Sequence, residues 1–288
     1  MKIFNLSLPK MGMLCASIAL LTFSSCKKDR DNDSTDPGVS GPDQQLFALT
    51  NTNALLSVNA NNVTAITKES AITGLQNGET LLGIDFRPAT GTLYGVGSTS
   101  RIYTINTQTG AATAIGAGPF TPAISGTAIG LDFNPMVDRI RLVSSTGQNL
   151  RLHPETGAVA ATDISLNGVT NPNVTAAAYT NNRAGTTSTV LFVIDVTTDK
   201  LYKQDPPNDG KLVEVGSLGF DVEQAGDFDI SFDGTTVLAA LKVGGKTSLY
   251  TIDLNTGKAT KIAKDFSKTI ISIAMPTAPI NISISGVN

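Results

Sequence analysis

Three aspartates occupy the same position in three copies of a short motif along the chain. The copies GIDF, GLDF and FDI hold Asp85, Asp132 and Asp229. Carboxylates gathered in one place can bind a cation such as calcium or assist acid–base chemistry on a substrate. They can equally serve the fold by accepting hydrogen bonds from turn amides or from a neighbouring repeat. Because the residue recurs with the repeat, the pattern favours the structural role. The three aspartates remain candidate binding residues under the other interpretation.

The position two residues after each aspartate is polar as well. It holds Arg87 in the first copy and Asn134 in the second. If the strands that carry the motif lie innermost in a ring, these side chains would gather with the aspartates near its axis. Arg87 and Asn134 therefore join the candidate binding residues.

The sequence contains few of the His and Cys residues on which other kinds of catalysis depend. His153 is the one histidine, in a predicted turn before a proline, and Cys15 and Cys26 both lie near the N-terminus. Zinc enzymes draw on several His or Cys ligands, and a nucleophilic triad needs a well-placed histidine. The sequence therefore predicts no catalytic residues and no cofactor, with a divalent cation such as calcium as the open alternative. It favours a protein that is not an enzyme.

The charge balance argues against nucleic-acid binding. The 288 residues carry a formal net charge of −3, and 16% of them are charged, below the roughly 25% usual in soluble domains. No run of Lys and Arg is interleaved with aromatic residues, as a nucleic-acid-binding face would require. We expect no nucleic-acid partner.

Behind the motif lies a repeat of four predicted strands. In the second copy, GLDFNP is followed by RIRLV, then by NLRLHPETG, then by a short closing strand. Alternation of apolar and polar residues indicates β-strands, and Thr-Gly pairs supply the glycine that a tight hairpin turn needs. Four short strands per repeat of about 40–50 residues are the signature of a β-propeller blade. The sequence therefore predicts an all-β fold.

The order of the strands predicts the number of blades. The chain enters at Leu46 with the second strand of a blade, continues with a third at Ala54 and a fourth at Val63, and ends with a surplus first strand, TIISIAMP. A ring must hide the edges of its first and last sheets. We expect the C-terminal strand to complete the N-terminal three, which closes a propeller of five four-stranded blades over residues 46–288. A sixth blade would have to begin near Ile280.

The N-terminus predicts export and lipid anchoring. Lys2 and Lys10 precede an apolar run from Met11 to Phe23. This run would make about 20 Å of helix, which is too short to span a membrane and typical of a secretory signal. The FSSC that follows resembles the lipobox of bacterial lipoproteins, in which the cysteine is acylated. Residues 1–25 are therefore predicted as a lipoprotein signal peptide and Cys26 as the lipidation site, with ordinary cleavage as the alternative.

A polar segment separates Cys26 from the predicted propeller. Residues 26–45 are rich in Asp, Ser, Gly and Pro and cannot bury enough apolar area to fold, so they predict a flexible tether. The Cys-Lys-Lys-Asp start resembles lipoproteins of the Bacteroidetes group, in which acidic residues after the acylated cysteine can direct export to the cell surface. We expect an outer-membrane lipoprotein held in the membrane by its acyl chains, at the periplasmic face or on the cell surface.

The paired phrases GIDFRPATGTLY and GLDFNP resemble a family of bacterial exported proteins known as domain of unknown function 4394. Repeats of that family carry a Gly-x-Asp-Phe-x-Pro signature, and the likeness extends from Leu46 to Pro276. The resemblance implies a propeller-like repeat fold. It implies no activity, since the family has none assigned.

Two long connections offer a further candidate surface. Loops on a rigid scaffold usually carry binding, and the loops at 116–127 and 165–173 contain Phe120, Pro122 and Asn171. The first functional hypothesis is a binding or interaction module for a glycan, a peptide or an envelope protein. The alternative is a carboxylate- or metal-dependent hydrolase or lyase with its site at the propeller channel.

Overall fold

Five antiparallel sheets make up residues 40–262 and 264–277, the part of the chain that the computed structural model describes. Each sheet has four strands, numbered here in chain order, and forms one blade. From its innermost to its outermost strand, blade 1 contains β20 (Ile270–Ala274), β1 (Gln45–Thr50), β2 (Ala54–Asn59) and β3 (Lys68–Ala71).

The other four blades follow one another along the chain. Blade 2 contains β4 (Leu81–Arg87), β5 (Thr92–Gly97), β6 (Ile102–Ile105) and β7 (Ala112–Ile115), and blade 3 contains β8 (Ile129–Asn134), β9 (Arg139–Ser144), β10 (Asn149–Leu152) and β11 (Val159–Thr162). Blade 4 contains β12 (Val174–Tyr179), β13 (Leu191–Asp195), β14 (Lys200–Gln204) and β15 (Leu212–Ser217), and blade 5 contains β16 (Gln224–Ile230), β17 (Val237–Val243), β18 (Lys246–Ile252) and β19 (Ala259–Lys261). The described residues include no helix long and apolar enough to cross a membrane.

The C-terminal strand closes the ring, as the sequence predicts. β20 pairs antiparallel with β1, and Phe47 lies opposite Ala274, so the last described strand is the innermost strand of blade 1. The innermost strands β20, β4, β8, β12 and β16 contact one another in turn around the axis. The fold is therefore an all-β propeller of five four-stranded blades, and Ile280, where a sixth blade would begin, lies outside the described residues.

The fourth strand of blade 1 corrects one predicted boundary. It begins at Lys68 and not at Val63. Two consecutive turns, in which Asn62 N donates to Asn59 O and Ala65 N donates to Asn62 O, carry the chain past Val63. The Val63 side chain is buried among apolar residues between blades 5 and 1. Its hydrophobicity therefore serves the junction of two blades and not a strand.

Apolar side chains hold the blades against one another. Buried residues form five clusters, each at the junction of two adjacent blades. Aromatic rings lie across two of these junctions: Phe47 and Phe86 have ring centres 5.5 Å apart, and Tyr94 and Phe133 have ring centres 5.1 Å apart. Because alternate residues of a strand face opposite sides of its sheet, each blade supplies side chains to two junctions.

One junction also contains a buried cation. Arg141 in β9 is 1% exposed; it pairs with Asp163 at 2.6 Å and donates to the side-chain oxygens of Asn149 at 2.7 Å and Asn208 at 2.8 Å. Asn208 belongs to blade 4, so the guanidinium links blades 3 and 4. In the sequence, the alternation within RIRLV indicates a strand and gives no sign of this burial.

The antiparallel order defines two ends of the axis. The connection before each innermost strand, and the one between the second and third strands of a blade, lie at one end, here named the upper mouth. The turn after each innermost strand, and the one between the third and fourth strands, lie at the other end, the lower mouth. The long loops at 116–127 and 165–173 both belong to the upper mouth.

Candidate functional site

The innermost strands direct backbone N–H groups into the axis. Each of these strands pairs with its own blade on one side, so alternate amides on its free side need acceptors inside the ring. One layer of such amides lies directly after the aspartate position of each blade, on Phe86, Phe133, Tyr179, Ile230 and Met275. The three recurrent aspartates lie at this layer.

Asp85 joins two blades through both of its oxygens. Its Oδ1 accepts the N–H of Phe86 in its own strand at 2.7 Å, and its Oδ2 accepts the N–H of Phe133 in β8 at 2.8 Å. The side chain is buried. The carboxylate therefore ties blade 2 to blade 3.

Asp229 and Asp132 repeat this arrangement. Asp229 accepts the N–H of Ile230 at 2.6 Å and that of Met275, which follows β20, at 2.5 Å. Asp132 accepts the N–H of Tyr179 in β12 at 2.6 Å. Each aspartate thus reaches the following blade, and three carboxylates provide acceptors for all five amides of the layer.

Alanine in the other two blades explains which aspartates accept twice. Ala178 and Ala274 stand at the aspartate position of blades 4 and 1. Blades 4 and 1 therefore offer no carboxylate to the amides of Ile230 in blade 5 and Phe86 in blade 2. Asp229 and Asp85 accept these amides instead, each from the residue that follows it. Asp132 follows a blade that has an aspartate, and its Oδ1 is left without a donor among the described residues.

The unpartnered oxygen belongs to a carboxyl group whose surroundings favour its protonated form. The Asp132 and Asp85 carboxyl groups are close enough for each to shift the pKa of the other, because two neighbouring buried carboxyl groups ionise together only at a cost. Burial raises the pKa of Asp85 to about 7. Burial, together with the charges of Asp85 and Asp229, raises the pKa of Asp132 well above its usual range. The burial of Asp132 and the charges of its two neighbours therefore favour its protonated form.

A second layer, closer to the upper mouth, depends on Asp227. Its Oδ1 accepts the N–H groups of Ala177 at 3.0 Å and Phe228 at 3.1 Å, while Ser272 Oγ accepts that of Ile84 at 3.0 Å. Asp227 has a φ of 66°, in the left-handed region, where β16 contains a bulge. The sequence comparison misses this residue, because the other blades have Gly, Ala or Ser two positions before the aspartate and no recurrence marks it.

Arg87 and Asn134 contact turns at the lower mouth. The Arg87 guanidinium donates to Asp138 through Nε at 2.8 Å and to Glu155 through Nη2 at 3.0 Å, both in blade 3. The bond to Asp138 raises the pKa of Arg87 above its usual value. Asn134 Oδ1 accepts the N–H of Met136 at 3.0 Å. The structure therefore gathers the three aspartates and places these two residues at turns; ligand binding by any of the five stays a prediction.

The other residues considered from the sequence have separate places. His153 begins the turn between β10 and β11, where its Nδ1 accepts the N–H of Glu155 at 3.2 Å, which agrees with the predicted turn role. Phe120 is buried between blades 2 and 3, so it anchors its loop, whereas Pro122 is exposed. Cys26 lies outside the described residues.

An open cleft of about 520 Å³ lies at the upper mouth. It lies where β8, β12 and β16 begin, and amides and hydroxyls dominate its lining, which includes Thr127, Asn171, Asn173, Thr197 and Gln224. A narrower cavity of about 60 Å³, lined by residues of all five innermost strands, shares one wall with it and continues towards the axis.

The five polar side chains just named, here called the mouth residues, have unused hydrogen-bonding capacity. They make no side-chain hydrogen bond to other described residues. Asn171 lies in a loop that the sequence marks as a candidate surface, and the other four are missed because no recurrence or motif identifies them. The mouth residues are therefore the second candidate site.

The sequence is similar to one described family. Residues 42–274 match a family described as Domain of unknown function (DUF4394). No curated protein matches the chain. A chain from the crystal structure of a nidogen/laminin complex is similar at 14% identity with a TM-score of 0.47, over 82% of this chain and 99% of that chain.

Proposed function

The chain belongs to the DUF4394 family, and we propose that it is a lipid-anchored, non-enzymatic binding module of the bacterial cell envelope. The propeller supplies a rigid scaffold, and the upper mouth supplies the surface that meets a glycan, a peptide or an envelope protein. N-terminal acyl chains on Cys26 supply the attachment to the outer membrane.

The free mouth residues carry this proposal. Five polar side chains that make no side-chain hydrogen bond to the described part of the chain surround a cleft of about 520 Å³, which falls within the roughly 300–1,000 Å³ usual for small-ligand sites. Their donors and acceptors are available to a ligand. The axial aspartates differ, because backbone amides already occupy most of their oxygens.

Crosslinking in intact cells tests the mouth as the contact surface. A photo-crosslinking amino acid at Thr127 or Thr197 would be compared with the same amino acid at Asn61 and Asn255, which are exposed in turns away from the cleft. We expect specific adducts from the two cleft positions. Adducts that are absent there, or equal at all four positions, would contradict the proposal.

The attachment to the membrane has its own test. The proposal rests on the lipobox-like FSSC sequence, and two or more acyl chains give stable anchoring where one chain is marginal. We expect Cys26→Ala to lose palmitate labelling and leave the membrane fraction, whereas Cys15→Ala keeps both. An unlabelled wild-type protein would refute the anchor, and protease treatment of intact cells distinguishes the cell surface from the periplasmic face.

A hydrolase or lyase at the channel is the alternative function. Asp85, Asp132 and Asp229 are each at most 3% exposed, so a substrate would have to displace their backbone hydrogen bonds. Within the described ranges, no group of three or more His, Cys, Asp or Glu side chains is arranged to hold a metal ion. A melting temperature that rises with calcium, and no longer rises in Asp132→Ala, would support this alternative. A melting temperature that is indifferent to calcium would count against it.

A further inference from the structure

The mouth residues have the hydrogen-bonding chemistry that suits a ligand rich in hydroxyl groups. Asn171, Asn173 and Gln224 each offer a carbonyl oxygen and an NH₂ group, and Thr127 and Thr197 offer hydroxyls that both donate and accept. Donors and acceptors are therefore mixed around one open space. A sugar hydroxyl also donates and accepts, so either kind of group can match it.

A buried carboxylate fixes one wall of the cleft. Asp195, at the end of β13, is fully buried. Its Oδ1 accepts the N–H groups of Thr197 at 2.8 Å and Thr198 at 3.1 Å, and its Oδ2 accepts that of Asn173 at 3.0 Å. The backbone of Asn173 and Thr197 is thus positioned before a ligand arrives, which reduces the conformational entropy lost on binding.

The charge of the cleft is balanced locally. Glu223 is the charged member of the lining. It pairs with Lys242 at 3.0 Å and accepts the N–H of Gly245 at 2.6 Å. The Glu223 carboxylate would repel an anion, and it would attract a cation only weakly because Lys242 already neutralises its charge. The site therefore favours an uncharged ligand.

The apolar part of the lining is small. Ala128 and Val196 are its apolar members. Peptides are usually recognised by addition to a free strand edge or by apolar pockets for their side chains, whereas this cleft is walled by turns and by the starts of strands. A sugar, which needs hydrogen bonds above all, fits the lining better than a peptide does.

We infer that the upper-mouth cleft binds a short, uncharged oligosaccharide, held by the amides of Asn171, Asn173 and Gln224 and the hydroxyls of Thr127 and Thr197. The inference rests on the proposed function and names the ligand class of the same site. Hydrogen bonds between uncharged groups contribute modestly because water competes for the same groups, so the expected Kd is about 1 mM.

Ligand-observed NMR on the detergent-solubilised full chain tests the ligand class. The probes are neutral trisaccharides built from glucose, mannose, xylose or N-acetylglucosamine, and uncharged tetrapeptides of Gly, Ser and Thr. We expect at least one trisaccharide to show saturation transfer, and Asn173→Ala combined with Gln224→Ala to weaken its binding by about tenfold. Asn61→Ala, an exposed asparagine in a turn of blade 1, should leave binding unchanged.

The outcomes separate this inference from the proposed function. Peptide binding that depends on Asn173 and Gln224, without trisaccharide binding, overturns the ligand class and keeps the binding module. Trisaccharide binding that the double variant does not weaken overturns the assignment to this cleft. If no probe binds, the ligand class is overturned, and the crosslinking at Thr127 and Thr197 then decides separately whether the binding module stands.

Discussion

The axis and the upper mouth of this propeller use polar side chains in opposite ways. In the axis, Asp85 and Asp229 each accept two backbone N–H groups and are buried. At the mouth, Asn173 and Gln224 make no side-chain hydrogen bond to described residues and border an open cleft. Both sets belong to the innermost strands or their starts, and in β16 Gln224 and Asp229 lie on the same strand.

The difference shows how the role of a polar residue relates to whether it returns at the same position in each blade. Every blade presents the same inward amide, so a residue that satisfies it returns at the same position, as Asp85, Asp132 and Asp229 do. The ligand that we propose for the mouth would meet it from one side, so its contacts need not return in each blade. A polar residue that recurs with the repeat is therefore the better candidate for a need of the fold, and unmatched polar residues at one end of the axis are the better candidates for the proposed binding surface.

Asparagine at Asp85 is the change that disturbs the axis most. The amide NH₂ cannot accept a hydrogen bond, so the N–H of Phe86 or Phe133 would face a donor in a buried site. We expect the free energy of unfolding to fall by about 3 kcal/mol, measured by urea denaturation at neutral pH. Asp229→Asn should behave alike, since both of its oxygens also accept amides. Stability equal to that of the wild type would show that these bonds are dispensable.

The close approach of the innermost strands predicts the next largest loss of stability. A methyl group added at Gly130 would lie 2.6 Å from the carbonyl carbon of Ala176 in β12, whereas one added at Gly83 would come no closer than 3.3 Å, to Leu131 Cβ. We expect Gly130→Ala to cost about 2 kcal/mol of unfolding free energy and Gly83→Ala less than about 1 kcal/mol. Thermal melts of the two variants provide the comparison, and equal losses would show that the tight contact at Gly130 has no consequence.

We expect rising pH to weaken the axis. Burial raises the pKa of Asp85 from 3.8 to about 7 and raises the pKa of Asp227 and of Asp229 well above the usual range. The folded chain therefore keeps protons that the unfolded chain releases, so the free energy of unfolding falls as the pH rises from about 4 to about 7. Melting temperatures across this range should decrease steadily, and a flat profile would contradict the buried protons.

Asp132→Asn tests how much the titration of this one carboxyl group contributes to the pH dependence. The new carbonyl oxygen can accept the N–H of Tyr179, and the new NH₂ takes the place of Asp132 Oδ1, which accepts no hydrogen bond from the described residues. Because the hydrogen bonds are kept without a titrating group, we expect the variant to match the wild type near pH 5 and to exceed its unfolding free energy by about 1 kcal/mol near pH 8. Equal destabilisation at both pH values would mean that Asp132 does not hold the proton.

Much of the fold was predictable because the blades share local rules. Alternating strands and Thr-Gly turns recur, and the surplus strand TIISIAMP predicts the closure that β20 makes with β1. The misplaced fourth strand of blade 1 shows the limit. Val63 is apolar in a β-like stretch, yet two turns and the junction with blade 5 decide its place, and neither is visible in local periodicity.

Less of the candidate site was predictable, for two physical reasons. The acceptor and donor of each axial bond lie on different blades, as with Asp85 and Phe133, so the sequence identified the aspartates without identifying their partners. Asp227 lies two positions before Asp229, where the other blades have Gly, Ala or Ser, so no recurrence marks it in the sequence. The cleft arises where three strands begin side by side, and no shared motif marks the polar residues at those strand starts, such as Asn173 and Gln224.

Alanine at the mouth should have the smallest effect on stability. Asn173 and Gln224 are partly exposed and unpartnered by described side chains, so their truncation leaves no buried group without a hydrogen bond. We expect Asn173→Ala combined with Gln224→Ala to stay within about 0.5 kcal/mol of the wild-type unfolding free energy, by the same urea denaturation used for Asp85→Asn. A loss as large as that of Asp85→Asn would place the mouth residues with the axial aspartates as supports of the ring. A negligible loss would show that the fold does not depend on these two side chains, which would leave their hydrogen-bonding groups free for a ligand.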